Sequence, residues 1–184
     1  MNIKLSDDFK AILAGARDEA MRTGHYGIGA DHLMLAMLRR QDCEACRFLS
    51  GQGLDTGELK RMIDEATFME KPVPYNNADM VKMKRSAEGA VSLAAYEALS
   101  AGDSQVKSTH LLLALSRAED SVSRIWLAEH GLGSTAMREA LKSEGLLGRS
   151  QSRPEVKMED VISALGEQLN NLMSAYRDKT GYMS

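Results

Sequence analysis

The sequence predicts an all-α protein, and three observations lead to that prediction. Proline is rare, with 3 residues in 184, whereas methionine, with 12, is common. Straight-chain residues and alanine lose little conformational entropy in a helix, so this composition favours helices. Apolar residues recur at intervals of three and four along most of the chain, which is the spacing of one helix face. The third observation is that one helical pattern occurs twice.

An internal repeat covers most of the chain. His32 and His110 are separated by 110 − 32 = 78 positions, and this shift aligns the two segments without a gap from about Leu13 to Ile63. The aligned identical pairs include Ala16 and Ala94, Glu19 and Glu97, Ala20 and Ala98, Gly24 and Gly102, Leu33 and Leu111, Ala36 and Ala114, and Gly53 and Gly131. Agreement in one register predicts two copies of a four-helix unit. We place the copies at residues 5–68 and 79–145, with a linker at residues 69–78.

The first helix of copy one is delimited by two end signals. Ser6 is a favourable N-cap residue, and Gly24 can adopt the positive φ that often follows a helix. The apolar residues between them fall on one face: Phe9, Ile12, Leu13, Ala16 and Ala20. This pattern predicts an amphipathic helix that packs on a core.

Three further helices complete copy one. A brief extended stretch through Ile28 leads into a second helix at residues 31–39, and a third is expected at residues 43–52. Asp55 and Glu58 have capping-box spacing and start the fourth helix. The residues that we expect this helix to bury are Leu59, Met62, Ile63 and Ala66.

Copy two follows the same plan. Ser108 is predicted to be the N-cap of its second helix, and Gly131 to end its third. Between the copies, the two prolines and two asparagines of residues 71–77 are expected to break any helix.

A C-terminal amphipathic helix is predicted at residues 155–178. Its apolar residues alternate steps of four and three: Met158, Ile162, Leu165, Leu169, Leu172 and Tyr176. Such a heptad stripe can dock on the domain or pair with a second helix. Docking is favoured, because the stripe is short and Gly166 weakens the helix.

The bulk composition excludes several classes of protein. A formal net charge of −3 does not suit a nucleic-acid-binding protein, which needs a concentrated basic face. No apolar run approaches the roughly 18 residues of a membrane span, and the N-terminus has no apolar signal core. With only 2 cysteines, a secreted disulfide scaffold is not expected. We expect a soluble cytoplasmic protein that binds neither nucleic acid nor membrane.

Histidines and cysteines are the residues that could suggest catalysis. His32 and His110 recur at equivalent positions, which favours one packing or hydrogen-bonding role in each copy over a metal pair. Cys43 and Cys46 lack the second ligand pair of a zinc site, so we expect two buried helical cysteines. No Gly-x-x-x-x-Gly-Lys-Ser/Thr loop is present to hold a nucleotide. No catalytic residue, metal or cofactor is therefore predicted in this chain.

The duplicated motif resembles the paired Clp N-terminal motif of Clp-family protein unfoldases. In each copy a helix and a glycine precede a short extended turn, then Asp31-His32 or Thr109-His110, and then Leu-x-Leu-Ala. The resemblance covers about residues 5–145 and is closer to the ClpC branch than to ClpB or ClpA. It implies an all-helical pseudo-twofold domain of eight helices, monomeric in isolation, with no enzyme activity of its own.

The resemblance also implies partners. The family domain receives adaptor proteins and unfolded or tagged substrates, and ATPase modules, absent from this chain, use ATP to thread them into a ClpP-type peptidase. The main alternative is a stand-alone adaptor or regulatory protein of the same family. A small metal-dependent hydrolase using the histidines and cysteines is a remote alternative.

A phosphoarginine site is implied for copy one. In ClpC-like domains the phosphate lies at the start of the first helix, and an acidic residue before the motif histidine takes the guanidinium. Helix N–H groups suit an anion, and a carboxylate suits a guanidinium. Ser6 and Asp31 match these positions, whereas copy two has Lys84 and Thr109 instead. The competing interpretation is that Ser6 only caps its helix and Asp31 only complements a helix dipole.

Overall fold

The computed structural model describes residues 3–148 and residue 159, and in this part of the chain it confirms the all-α prediction. The first four helices are α1 (Asp7–Arg22), α2 (Ala30–Arg39), α3 (Glu44–Gly51) and α4 (Thr56–Thr67). The next four are α5 (Arg85–Ser100), α6 (Ser108–Leu115), α7 (Val122–Glu129) and α8 (Ser134–Ser143). The helix predicted at residues 155–178 lies, apart from residue 159, outside the described residues.

Several predicted helix ends are confirmed. The Ser6 hydroxyl accepts a hydrogen bond from the Phe9 N–H at 3.1 Å, as an N-cap side chain should. Gly24 follows α1 with a φ of 88°. The Asp55 carboxylate caps α4 by accepting from the Gly57 and Glu58 N–H groups at 3.0 and 3.2 Å.

Other details of the sequence prediction were wrong. Lys107, not Ser108, is the N-cap of α6, because Ser108 already belongs to the helix. A 3₁₀ helix, Tyr75–Met80, forms in the linker that was expected to break any helix. Its 3₁₀ turns begin directly after Pro74, whose fixed φ suits a helix start. Ala66 is exposed on α4, since the core beneath that helix ends at Ile63.

Four short strands cross between the repeats. Strand β1 (Lys4–Leu5) pairs in parallel with β4 (Gln105–Val106), and β2 (Gly27–Ile28) pairs in parallel with β3 (Lys82–Met83). The strand before the first helix of each repeat therefore bonds to the loop strand of the other repeat. These crossings set the start of α1 beside repeat two and the start of α5 beside repeat one.

The core is continuous across both repeats. Helix α1 packs on α2, and α5 packs on α6. All residues of α6 are buried, and α2 is buried from His32 to Leu38. Because both central helices are apolar around most of their circumference, they occupy the middle of one shared core. No helix in the described part of the chain is long and apolar enough to cross a membrane.

Each repeat also buries one glutamate at the same position. The Glu19 and Glu97 side chains are both 4% exposed. Glu19 pairs with Arg39 and with Arg22, the latter at 2.7 Å. Glu97 receives two bonds from the Arg138 guanidinium, at 2.6 and 2.7 Å. A bidentate guanidinium offsets much of the cost of burying the carboxylate.

Candidate functional site

The two residues of the predicted tag site lie at different crossings between the repeats. The Ser6 N–H donates to the Val106 carbonyl at 3.0 Å, which places Ser6 beside β4. Asp31 lines a cavity with Lys84 and Ser86, at the start of α5. Ser6 does not line that cavity. The structure therefore brings Asp31 to the first helix of repeat two and not to the first helix of its own repeat.

The Asp31 carboxylate caps a helix of the other repeat. Its Oδ2 accepts from the Val122 N–H at 3.0 Å. Its Oδ1 accepts from the Ser123 N–H at 3.0 Å and from the Ser123 hydroxyl at 2.6 Å. Three of the roughly four acceptor positions of the carboxylate are thus filled. Asp31 is a negative charge at the N-terminus of α7, where the helix dipole stabilises it.

The space beside Asp31, which we call the Asp31 cavity, holds about 190 Å³ and has a mixed charge. Lys84, the N-cap residue of α5, makes no capping bond with its side chain. Ser86, the second residue of α5, also lines the cavity, together with Glu119 and Asp120. The lining thus offers both a cationic and an anionic partner to a ligand that carries both charges.

The paired histidines perform the same structural role in each repeat, as predicted. The Nδ1 atom of His32 accepts the Gly29 N–H at 2.9 Å, and that of His110 accepts the Lys107 N–H at 2.9 Å. Each imidazole therefore caps the start of its own helix. The other ring nitrogens differ: His32 contacts Thr23 at 3.0 Å, and His110 contacts Asp103 at 2.7 Å.

The electrostatics of these two histidine sites also differ. Burial lowers the pKa of His32 to about 4, and the positive charges of His25, Lys84 and Arg22 act in the same direction. His32 is therefore neutral at pH 7. In repeat two, burial opposes ionisation of Asp103, but the hydrogen bonds from His110 and from the Gly148 N–H hold the pKa of its carboxyl below the usual value.

The equivalent of Asp31 in repeat two cannot receive a cation. Thr109 is fully buried and carries no charge. Its neighbour Ser108 instead reaches across to repeat one, where its hydroxyl accepts from the Ala45 N–H of α3 at 3.2 Å. Each repeat thus supplies a side chain that bonds to the start of the third helix of the other repeat. Asp31 of repeat one bonds to α7, and Ser108 of repeat two bonds to α3.

A second surface was not predicted and consists of exposed apolar side chains. The apolar patch comprises Tyr26, Phe68, Met69, Tyr75 and Met80, which are between 46% and 70% exposed. All five lie on the loop after α1 or on the segment between α4 and α5. Periodicity could not reveal them because they lie outside the α-helices. The one available signal was the concentration of aromatic and methionine residues in a proline-containing linker.

The segment that carries the patch is held against repeat one. The Met69 N–H donates to the Thr23 carbonyl at 2.8 Å, and the Val73 N–H donates to the Met21 carbonyl at 2.8 Å. The Asn77 amide also donates to the Tyr26 hydroxyl at 3.0 Å. The apolar side chains are consequently displayed on an anchored backbone.

The two cysteines are buried, as predicted, at the start of α3. Cys43 is the N-cap residue and Cys46 lies within the first turn. Among residues 3–148 and 159, no group of three or more histidine, cysteine, aspartate and glutamate side chains is arranged to hold a metal ion.

The chain is similar in sequence to known proteins. Residues 4–130 match the model of the family described as the Clp repeat (R) N-terminal domain. The chain is 25% identical over 150 residues to the chaperone protein ClpB of Oceanobacillus iheyensis, covering 82% of this chain and 18% of that protein. It is 26% identical over 153 residues to the negative regulator of genetic competence ClpC/MecB of Bacillus subtilis, covering 81% and 18%.

A solved structure shares the fold. The Hsp104 N-terminal domain from Candida albicans superposes with a TM-score of 0.62 at 18% identity, covering 82% of this chain and 99% of that domain. The similar identities to ClpB and ClpC do not separate the two branches. The chain spans about a fifth of the length of the curated relatives that it matches. On the match of residues 4–130 to the family model, the chain belongs to the Clp repeat (R) N-terminal domain family.

Proposed function

We propose that this chain is the substrate- and adaptor-docking domain of a ClpC-type ATP-dependent unfoldase of the cytoplasm. The observation that carries the proposal is the apolar patch. Exposed methionine and aromatic side chains that are carried on two segments bonded to each other, as these are, are typical of a protein interaction site. ATP hydrolysis and contact with a ClpP-type peptidase would belong to other modules of the parent protein.

The occupant that fits the patch is an extended apolar segment of an unfolded protein. The methionine side chains can adapt to different sequences, and the tyrosine rings combine an apolar face with a hydroxyl group. The patch backbone is already ordered by its bonds to Thr23 and Met21. Binding therefore does not require that this segment be ordered first, which lowers the entropic cost.

Binding of a permanently unfolded protein tests this proposal. Fluorescently labelled β-casein would be titrated with the chain and with Phe68→Ser, Tyr75→Ser and Met80→Ser. Ile125→Ser is the matched control, because Ile125 is 56% exposed but lies on α7, outside the patch. We expect each patch variant to weaken binding about tenfold or more, as for an interface hot spot. Equal affinity for all five proteins would refute the patch as the docking surface.

We further propose that Asp31 takes part in binding a charged tag such as phosphoarginine. Support comes from Lys84 and Ser86 at the start of α5, which line the same cavity as Asp31 and could serve as partners for the phosphate. One acceptor position of the carboxylate remains for the guanidinium. Ser6 lies where β1 pairs with β4, away from the Asp31 cavity. Anion binding by Ser6 at the start of α1 is therefore a separate prediction.

Calorimetric titration with phosphoarginine, arginine and inorganic phosphate tests the tag site. Asp31→Asn should remove guanidinium binding and Lys84→Ala should weaken phosphate binding. Ser123→Ala is the matched control, since it removes a contact of Asp31 with α7 but leaves the carboxylate in place. Ser6→Ala should weaken binding only if α1 contributes. No saturable signal with the wild-type chain at millimolar phosphoarginine would reject the site but leave the patch proposal standing.

The stand-alone adaptor is the alternative within the same family. It would share the docking surfaces but would act without attached ATPase modules. A Gly-x-x-x-x-Gly-Lys-Ser/Thr loop downstream in the native gene product would favour the unfoldase. The remote metal-dependent hydrolase predicts bound zinc and activity that His32→Ala abolishes, and elemental analysis with an activity assay would detect both.

A further inference from the structure

The two cysteines replace a normal helix cap. The repeat shift of 78 places Cys43 on Ser121 and Cys46 on Arg124. In repeat two the Ser121 hydroxyl accepts the Arg124 N–H at 3.0 Å, which is an ordinary N-cap bond. In repeat one the Cys43 side chain makes no such bond. Repeat one thus has two cysteines at the positions where repeat two has Ser121 and Arg124.

The sulfur atoms converge on one acceptor. The Sγ atoms of Cys43 and Cys46 lie 3.8 and 3.1 Å from the carbonyl oxygen of Met37, at the end of α2. Both thiols therefore lie at the same carbonyl group. A Cys-x-x-Cys pair at a helix N-terminus is an arrangement that favours a reactive thiolate and closes readily to a disulfide.

The surroundings divide the two thiols into unequal partners. The Cys46 thiol lowers the pKa of Cys43 to about 7, and the Cys46 N–H and the Ser108 hydroxyl act in the same direction against burial. The neighbouring Cys43 thiol and burial raise the pKa of Cys46 above its usual value. Cys43 is therefore the attacking sulfur, and Cys46 is the second thiol that completes an exchange.

We propose that Cys43 and Cys46 form a redox-active dithiol that closes to an intramolecular disulfide by exchange with a small-molecule disulfide. In the first step the Cys43 thiolate attacks one sulfur of the small disulfide and releases the other half as a thiolate. In the second step Cys46 loses its proton to solvent and attacks the Cys43 sulfur, releasing the second half. Two protein thiols are oxidised, and one small disulfide is reduced to two thiols.

Access to the pair requires a local opening. Cys43 is 0% exposed and Cys46 is 4% exposed. Helix α3 has only 8 residues, and local segments can open at lower free energy than the whole fold. The reaction is accordingly slow compared with that of an exposed thiol, but its end point is set by the stability of the disulfide.

Mass spectrometry after equilibration with oxidised and reduced glutathione tests the proposal. Wild-type chain, Cys43→Ser and Cys46→Ser would be compared, with quenching in acid and alkylation in denaturant. Cys43→Ser restores the cap residue of repeat two and serves as the folding control. We expect wild type to lose both alkylatable thiols and the mass of two hydrogens, without bound glutathione. We expect Cys46→Ser to retain a glutathione adduct on Cys43.

Three outcomes would overturn the proposal. Wild type could keep both alkylatable thiols under oxidising conditions, or could accumulate a glutathione adduct that never closes. The disulfide could also form only in urea, with loss of the helical circular dichroism signal, which would assign it to the unfolded chain. Closure with unchanged circular dichroism and unchanged Trp126 fluorescence supports a site that belongs to the native fold.

Discussion

The carboxylate of Asp31 in the first repeat accepts both the N–H and the hydroxyl of Ser123 in the second, at 3.0 and 2.6 Å. The two residues are 92 positions apart. A side chain that matches a tag-binding residue of the family by position is thus part of the contact between repeats. If an Asp31 variant fails to bind a tag, its stability must also be measured, because the same substitution removes this contact between the repeats.

Replacing Asp31 with alanine should destabilise the fold. The change removes the carboxylate that accepts the Val122 and Ser123 N–H groups at the start of α7, beside the N-cap residue Ser121, and this costs about 1–2 kcal/mol or more of unfolding free energy. Ser123→Ala removes only the hydroxyl bond to this carboxylate and should therefore cost less than Asp31→Ala. Urea unfolding monitored by Trp126, the single tryptophan of the chain, measures both. Wild-type stability in Asp31→Ala would contradict the capping role.

Acidification should destabilise the fold through His32. Its pKa falls from 6.5 to about 4 in the folded chain, so between these values the unfolded chain binds a proton that the folded chain does not. The stabilising contribution is complete above pH 6.5 and is lost as the pH falls towards 4. His32→Asn keeps an acceptor for the Gly29 N–H but does not titrate. The difference in unfolding free energy between wild type and this variant should change with pH across that interval, and a constant difference would contradict the shift.

Removing the buried Glu97 should be among the most damaging single changes. Glu97→Ala leaves the Arg138 guanidinium, whose side chain is 27% exposed, without its bidentate partner, and losing a hydrogen bond between charged groups costs roughly 1.5–3 kcal/mol. Glu88→Ala is the matched control, because Glu88 is exposed on the same helix. Its effect should stay within about 0.5 kcal/mol. Chemical denaturation of the two variants provides the comparison, and similar losses in both would refute the pairing as a source of stability.

Gly24→Ala should disturb the apolar patch as well as the fold. A Cβ atom there would lie 2.5 Å from the Lys71 carbonyl oxygen and 2.7 Å from the Met69 Cβ atom. Gly53→Ala is the control, since Gly53 has a similar positive φ of 77° with no atom within 4 Å of the added carbon. Gly53→Ala should cost about 1–2 kcal/mol from backbone strain alone.

We expect Gly24→Ala to lower the unfolding free energy more than Gly53→Ala does, because it adds a steric clash to the backbone strain. Binding of β-casein is a second measurement of that clash. The clash displaces the segment that carries Met69, so affinity for β-casein should fall in Gly24→Ala and not in Gly53→Ala. Equal stability and equal casein binding in the two variants would show that the close approach at Gly24 does not position the patch.

The sequence predicted what is local and what is repeated. The Ser6 cap, the turn at Gly24 and the shared role of His32 and His110 depend on residues a few positions apart, and the register of 78 also revealed that the glycines and the histidines recur. The role of Asp31 in tag binding stays a prediction, but its bonds to α7 could not be foreseen, because sequence spacing cannot show which repeat a side chain faces. Ser108 was wrongly read as the cap of its own helix, whereas its hydroxyl bonds to α3 of the other repeat. Both contacts cross between the repeats, where the partner is fixed by tertiary packing alone.

The crossed strands determine how the domain can move. Opening the two repeats like a clamshell about residues 69–78 would break the pairings of β1 with β4 and of β2 with β3, together with the bonds of Asp31 to α7 and of Ser108 to α3. The connecting segment therefore does not act as a hinge. A protein that docks here meets a surface of fixed shape, so selection among partners must depend on the few side chains that the surface already displays.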